Sequence, residues 1–148
     1  MNEQQTAYEI VGGEAGVREL VDRFYDHMDQ LDEAREVRDL HARSLRTSRE
    51  KLYLFLSGWL GGPDLYVQKY GHPRLRARHL PFSIGIRERD QWMLCMRRAL
   101  ADMKLEKSFR ERLENAFMST ADHMRNRAEH EDSPGLLIGP ANTTAPES

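Results

Sequence analysis

The sequence predicts an all-α protein built as one domain. Apolar residues recur at spacings of three and four through four separate stretches. No stretch alternates apolar and polar residues as a half-buried strand does. At 148 residues the chain has the length of a single domain, with a core large enough to leave room for a bound group.

The first helix is expected over Ala15–Leu31, where Val17, Leu20, Val21, Phe24, Tyr25, Met28 and Leu31 share one face. A second is expected from Ser48 to Leu60, with Leu52, Phe55, Leu56 and Trp59 inward. Thr47 and Glu50 have the spacing of a capping box at its start. Gly61-Gly62-Pro63 ends it. A third runs from Ile86 to Met103 on Trp92, Met93, Met96, Ala99, Leu100 and Met103. A fourth runs from Lys107 to Glu129 on Phe109, Leu113, Ala116, Phe117, Thr120, Ala121 and Met124. Asp32–Arg46 is charged and poorly periodic, so it reads as a loop or a short helix. Gly61–Gly85 carries four glycines and three prolines and reads as a long irregular segment. A loop of that length inside a compact domain implies a function. The domain is therefore assigned to residues 1–130. The remainder, 131–148, is rich in Pro, Gly, Ser and Thr and is expected to be disordered.

Composition excludes several classes. Charged residues make up 31% of the chain, yet the net charge is only −2, so no general attraction to nucleic acid or to an anionic membrane is expected. No apolar run approaches the length of a spanning helix. The N-terminus lacks a basic segment followed by an apolar one, so no secretory signal is expected and the cytoplasm is the expected compartment. Cys95 is the single cysteine, which rules out an intrachain disulfide and a cysteine-rich metal site. Phosphate loops, His-Glu-x-x-His zinc motifs and Gly-x-Ser-x-Gly elbows are absent.

The informative run is Tyr70-Gly-His-Pro-Arg-Leu-Arg-Ala-Arg-His-Leu-Pro-Phe82. Around it, in order, stand Tyr8-Glu-Ile-Val-Gly-Gly13, Phe24-Tyr25, Phe55-Leu-Ser-Gly-Trp-Leu-Gly-Gly-Pro63 and Arg89-Asp-Gln-Trp-Met-Leu-Cys-Met96. This combination closely resembles the group II truncated haemoglobins, over residues 8–128. The resemblance implies a globin-like fold, a truncated two-over-two helical sandwich around haem, with a largely non-helical proximal stretch.

It also implies the site. Taken alone, a histidine such as His79 is more often a surface or capped core residue; the surrounding run makes it the candidate iron ligand. One neutral imidazole on haem iron leaves the opposite position open. His72, next to Pro73, is the competing choice and reads as structural. Tyr25 and Trp92 would be ordinary core aromatics in most helices, but the resemblance makes them donors toward a bound ligand. His41 either faces this distal pocket as a third donor or is an exposed histidine in a polar loop. Ser48 and Leu52 should lie at the ligand gate, although Ser48 suits a helix start equally well. Phe55, Leu56, Phe82 and Met96 are expected on the haem faces. Arg78 is the first candidate for a propionate, followed by Tyr66, with Arg74 and Arg76 nearby. A Cys-x-x-Cys-His motif is absent, so the implied cofactor is non-covalent haem b, iron protoporphyrin IX.

Two functions follow from the resemblance, and a third lies outside it. The first is reversible binding of O2 and of other diatomics such as CO and NO. Two or three donors would hold O2 firmly, so slow release is expected, which argues against bulk transport. The second is redox catalysis, as an NO dioxygenase or a peroxidase-like enzyme, with electrons from a reductase or a small reductant. The third, a helical interaction module without cofactor, predicts a colourless protein. Either a monomer or a homodimer is compatible with the sequence.

Overall fold

The computed structural model describes residues 5–127. The 131–148 tail lies outside them. Within them the chain forms α1 (Ala7–Val11), α2 (Gly13–Gln30), a 3-10 turn at Asp32–Ala34, α3 (Arg35–Asp39), α4 (Arg46–Trp59), α5 (Leu65–Tyr70), α6 (Leu75–His79), α7 (Ile86–Asp102) and α8 (Lys107–His123). No strand occurs among the described residues, and no helix there is long and apolar enough to cross a membrane.

The core follows the periodicity. α2 packs on α7 and on α4, and α7 packs on α8. Val17, Leu20, Val21, Phe24 and Met28 of α2 meet Met93, Met96, Ala99 and Leu100 of α7, with Phe109, Leu113 and Phe117 of α8 completing the cluster. Cys95 is buried there, where desolvation pushes its thiol up to about 11 and keeps it protonated. His27 Nε2 lies 2.7 Å from Asp102 Oδ2 and joins the ends of α2 and α7.

Three expectations need correction. α4 begins at Arg46 with Leu45 at its N-cap and no side-chain cap, so Thr47 and Glu50 do not form a capping box. Glu50 instead accepts from Arg18 of α2 at 3.1 Å. The capping box is at α1, where Thr6 Oγ1 accepts the Glu9 N–H and Glu9 Oε1 accepts the Thr6 N–H, each at 3.1 Å. α8 ends at His123 rather than running to 129. The N–H groups of Asn126 and Arg127 turn away to the Ile84 carbonyl, at 2.8 and 3.1 Å. The 61–85 stretch, read as irregular, contains α5 and α6, which are too short and too rich in flanking Gly and Pro to show a period.

α4 carries two apolar faces. Tyr53, Leu54, Leu56 and Ser57 are buried, whereas Leu52, Phe55 and Trp59 are only half-buried. The stripe expected inward is therefore mostly the one that other helices leave uncovered.

The two glycine motifs meet in space. The Tyr8 N–H donates to the Leu60 carbonyl at 2.8 Å. The Tyr8 ring lies where a Cβ on Gly62 would fall, and a Cβ on Gly16 would fall on the Val11 carbonyl. α1 folds back on α2 and on the end of α4 only because those positions lack side chains.

At the start of α7, Glu88 is buried, with 4% of its surface exposed. Burial opposes its charge, but the Gly85 N–H, Arg87 and Arg127 together hold its carboxyl below the usual range. A depressed carboxyl stabilises the fold above the unfolded-state value and loses that contribution as pH falls through the folded value. Stability should therefore drop on acidification below about pH 4.3. Glu88→Gln should cost roughly 1–3 kcal/mol at pH 7 and flatten the acid limb. Urea unfolding at pH 7 and pH 3.5 checks this; an unchanged acid limb would exclude Glu88 as its source.

Candidate functional site

The site is built from α2, α4, α6 and the 37–43 turn. His79 is the last residue of α6, so its ring lies over the preceding turn. Its Nδ1 is 2.6 Å from the Leu75 carbonyl. A carbonyl only accepts, so Nδ1 carries the proton and the neutral ring presents the Nε2 lone pair. That is the tautomer a metal ligand needs, with its orienting partner already in place. His72 is arranged differently. It is exposed, and its Nδ1 accepts the Arg74 N–H at 3.2 Å within the turn before α6.

Tyr25 is buried on α2. Burial pushes its phenol well above the ordinary value, against the opposing pull of a hydrogen bond with Ser48 and of the nearby Arg49 charge. Its hydroxyl thus stays protonated. Ser48 does not serve the helix start; it meets Tyr25. Arg49 brings α4 to this position by bridging to Asp22 at 3.1 Å and Asp26 at 2.9 Å on α2.

His41 sits beside Tyr25, ring centroids 5.7 Å apart. Its Nδ1 is 2.9 Å from the Val37 carbonyl, so Nδ1–H donates there. Burial lowers its pKa, the Val37 contact opposes this, and the Arg38 charge pushes it further down. His41 is therefore neutral at pH 7, and its remaining Nε2 is an acceptor. Of the two readings the sequence left for His41, a pocket donor or an exposed loop residue, the half-buried ring beside Tyr25 departs from the exposed one. Gln91, which the sequence does not single out, fixes this turn by accepting the Val37 N–H at 2.9 Å.

Trp92 is half-buried, packed on Phe24 at 4.9 Å and Phe117 at 5.9 Å between centroids. Trp59 stacks on Phe117 at 4.5 Å, a packing role as expected. Tyr66 is buried, near Phe55 at 6.3 Å. Arg78 lies over the Tyr66 ring at 5.8 Å and donates through Nε to the Pro73 carbonyl at 2.7 Å. Arg76 is committed elsewhere: it donates to the His123 and Arg125 carbonyls, at 2.8 and 2.7 Å. Leu56 and Met96 are sealed in the core, whereas Phe82 is 42% exposed.

A cleft of about 580 Å3 opens between Phe55 and Trp59 of α4, the 72–76 segment, and Ser119, Thr120, His123 and Met124 at the end of α8. Its lining does not include His79, Tyr25, His41 or Trp92. Leu75, whose carbonyl orients His79, lies on its wall.

A family model for bacterial-like globins matches residues 6–126. The chain belongs to the bacterial-like globins. Its relatives place it with the group II truncated haemoglobins. It is 39% identical to the group 2 truncated hemoglobin YjbI of Bacillus subtilis over 84% of this chain and 92% of that protein. It matches the cold-adapted truncated hemoglobin of the Antarctic bacterium Pseudoalteromonas haloplanktis TAC125 with a TM-score of 0.82 and 47% identity, over 84% of this globin and all of that chain. The group II 2-on-2 hemoglobin of Agrobacterium tumefaciens gives 0.81 and 45%, over 85% and 98%. The globin thus has the two-over-two sandwich, and the family implies a haem protein that binds diatomic ligands.

The residues present fit haem. Among the described residues, five of the six large hydrophobic residues left exposed, namely Val67, Tyr70, Leu80, Phe82 and Ile86, fall in the 20 residues around His79. α6 buries no side chain, and the Leu52–Phe55–Trp59 face of α4 is only half covered. A flat apolar group between α4 and α6 would cover these surfaces, with His79 Nε2 directed at its metal.

Proposed function

We propose that this globin holds haem b through His79 and binds O2, and other diatomics such as CO and NO, reversibly on the opposite face. The observation that carries the reading is the His79 ring, with Nδ1–H tied to the Leu75 carbonyl and Nε2 left as the ligating nitrogen. The haem supplies an iron with one open position for a diatomic ligand. The protein supplies polarity and shielding.

Tyr25 keeps its proton and, set in a buried position, offers a hydroxyl with little competing water. Ser48 orients that hydroxyl, and the His41 ring packs edge-on against the Tyr25 ring. Trp92 presents a half-buried indole N–H that makes no hydrogen bond to any described residue, which suits a second donor. Arg78 and Tyr66 are the groups for the propionates. Phe55 and Phe82 would flank the ring, whereas Leu56 and Met96, expected on its faces, are covered by the core and would pack behind it.

Tyr25→Phe removes one donor and leaves the packing intact. Ligand dissociation should quicken roughly 3- to 10-fold, the value of one neutral hydrogen bond, as read by stopped-flow displacement of O2 by CO. An unaltered rate would remove Tyr25 from the distal set.

A further inference from the structure

We propose that Asn126, with Arg76, is a positioning element for His79, clamping α6 and the loop after it to the end of α8. This rests on His79 being the haem ligand.

α6 cannot be held by packing, because none of its five residues is buried. It is held by polar contacts instead, and these converge on residues 123–126. Asn126 Nδ2 donates to the His79 carbonyl at 3.1 Å and to the Phe82 carbonyl at 2.8 Å. Its Oδ1 accepts the Ile84 N–H at 2.9 Å, and its own N–H donates to the Ile84 carbonyl at 2.8 Å. One side chain therefore fixes both ends of the His79–Ile84 loop. On the other side of α6, Arg76 donates to the His123 and Arg125 carbonyls. The His123 carbonyl is one of those at the end of α8 that have no i+4 donor, since the Arg127 N–H goes to Ile84.

The same contacts explain why α8 ends at His123. A continued helix would carry Asn126 away from the loop. The side chain reads main-chain carbonyls rather than side chains, so it senses the loop's path irrespective of the residues on it. Asparagine is suited to this role, since it has two donors and one acceptor on one planar group. The bond from Asn126 to the His79 carbonyl and the bond from His79 Nδ1 to the Leu75 carbonyl act on the same residue from two sides. Together they restrict where Nε2 points.

The test compares Asn126→Ala, Asn126→Asp and Arg76→Ala with the wild-type holoprotein. Asn126→Asp keeps the acceptor for Ile84 and loses both donors. Leu113→Ala serves as a control that loosens the core away from the loop. Haem release to an excess of apomyoglobin should quicken about tenfold or more in Asn126→Ala and in Asn126→Asp, the scale of losing an outer-shell partner. Their iron–histidine stretching frequency should shift, while Leu113→Ala lowers the melting temperature without that shift. In the apoproteins, amide exchange at Ile84 should accelerate for Asn126→Ala, which loses the acceptor, and stay near wild type for Asn126→Asp, which keeps it. Wild-type release rates together with an unshifted frequency in both Asn126 variants would overturn the clamp. The underlying reading is tested separately: if His79→Ala retains haem with the same iron–histidine band, His79 itself is the wrong ligand.

Discussion

His79→Ala is expected to abolish stable haem binding, whereas His72→Ala leaves it intact. The two histidines are seven residues apart and the sequence offers both. Their surroundings separate them. His79 has its proton fixed on Nδ1 by the Leu75 carbonyl and its Nε2 free. His72 is exposed and uses Nδ1 as an acceptor from the Arg74 N–H. Disturbing only the outer partners of a metal ligand costs roughly 10- to 100-fold in affinity, so removing the ligand should cost more than about 100-fold. Haem titration of the apoprotein, followed by its visible absorption, measures this directly. Added imidazole should restore the spectrum in His79→Gly, because the small variant leaves room for the missing ring. Tight haem binding by His79→Ala with loss in His72→Ala would reverse the assignment.

The largest expected loss of stability comes from Gly16→Ala. A methyl group there would fall on the Val11 carbonyl oxygen, part of the α1–α2 corner, and backbone cannot rotate aside as a side chain can. Substitutions that overpack a closed corner sit at the upper end of single-residue effects, so about 3 kcal/mol or more is expected. For a chain of this size that corresponds to roughly 10 °C in melting temperature. Gly62→Ala should cost less, because its neighbour is the Tyr8 ring, which can move. Combining it with Tyr8→Ala should be less harmful than the sum of the two single changes, a coupling that a double-mutant cycle reads. Thermal unfolding of Gly16→Ala within a few degrees of wild type would show that α1 does not depend on this close approach.

The long helices were legible because each buries enough residues to show its period. α2 hides seven residues and α7 six. α1, α5 and α6 hide at most one each, so no periodicity could reveal them. α4 misled in a different way. It is apolar on two faces, and the stripe at Leu52, Phe55 and Trp59 stands out although Tyr53 and Leu54 are the better buried. At the site, His79 and Tyr25 were named through motifs. The Leu75 carbonyl was not, because an i to i−4 contact is visible only once α6 is known to be helical. For His41 the sequence left two readings, a pocket donor or an exposed loop histidine. Its proton is in fact engaged by the Val37 carbonyl, a contact within its own turn. Asn126 carried no signal at all. It lies beyond the last periodic residue of α8, and its partners stand 42–47 positions away.

That α6 buries nothing has a consequence for the lifetime of the loaded globin. A segment fastened by a few main-chain bonds opens locally while the frame of α2, α4, α7 and α8 stays shut. With His79 as the proposed grip, that small opening would be enough to release the cofactor without collapse of the whole molecule. Heat resistance and cofactor retention are then separate properties of this chain: a variant can melt later and still bleach sooner.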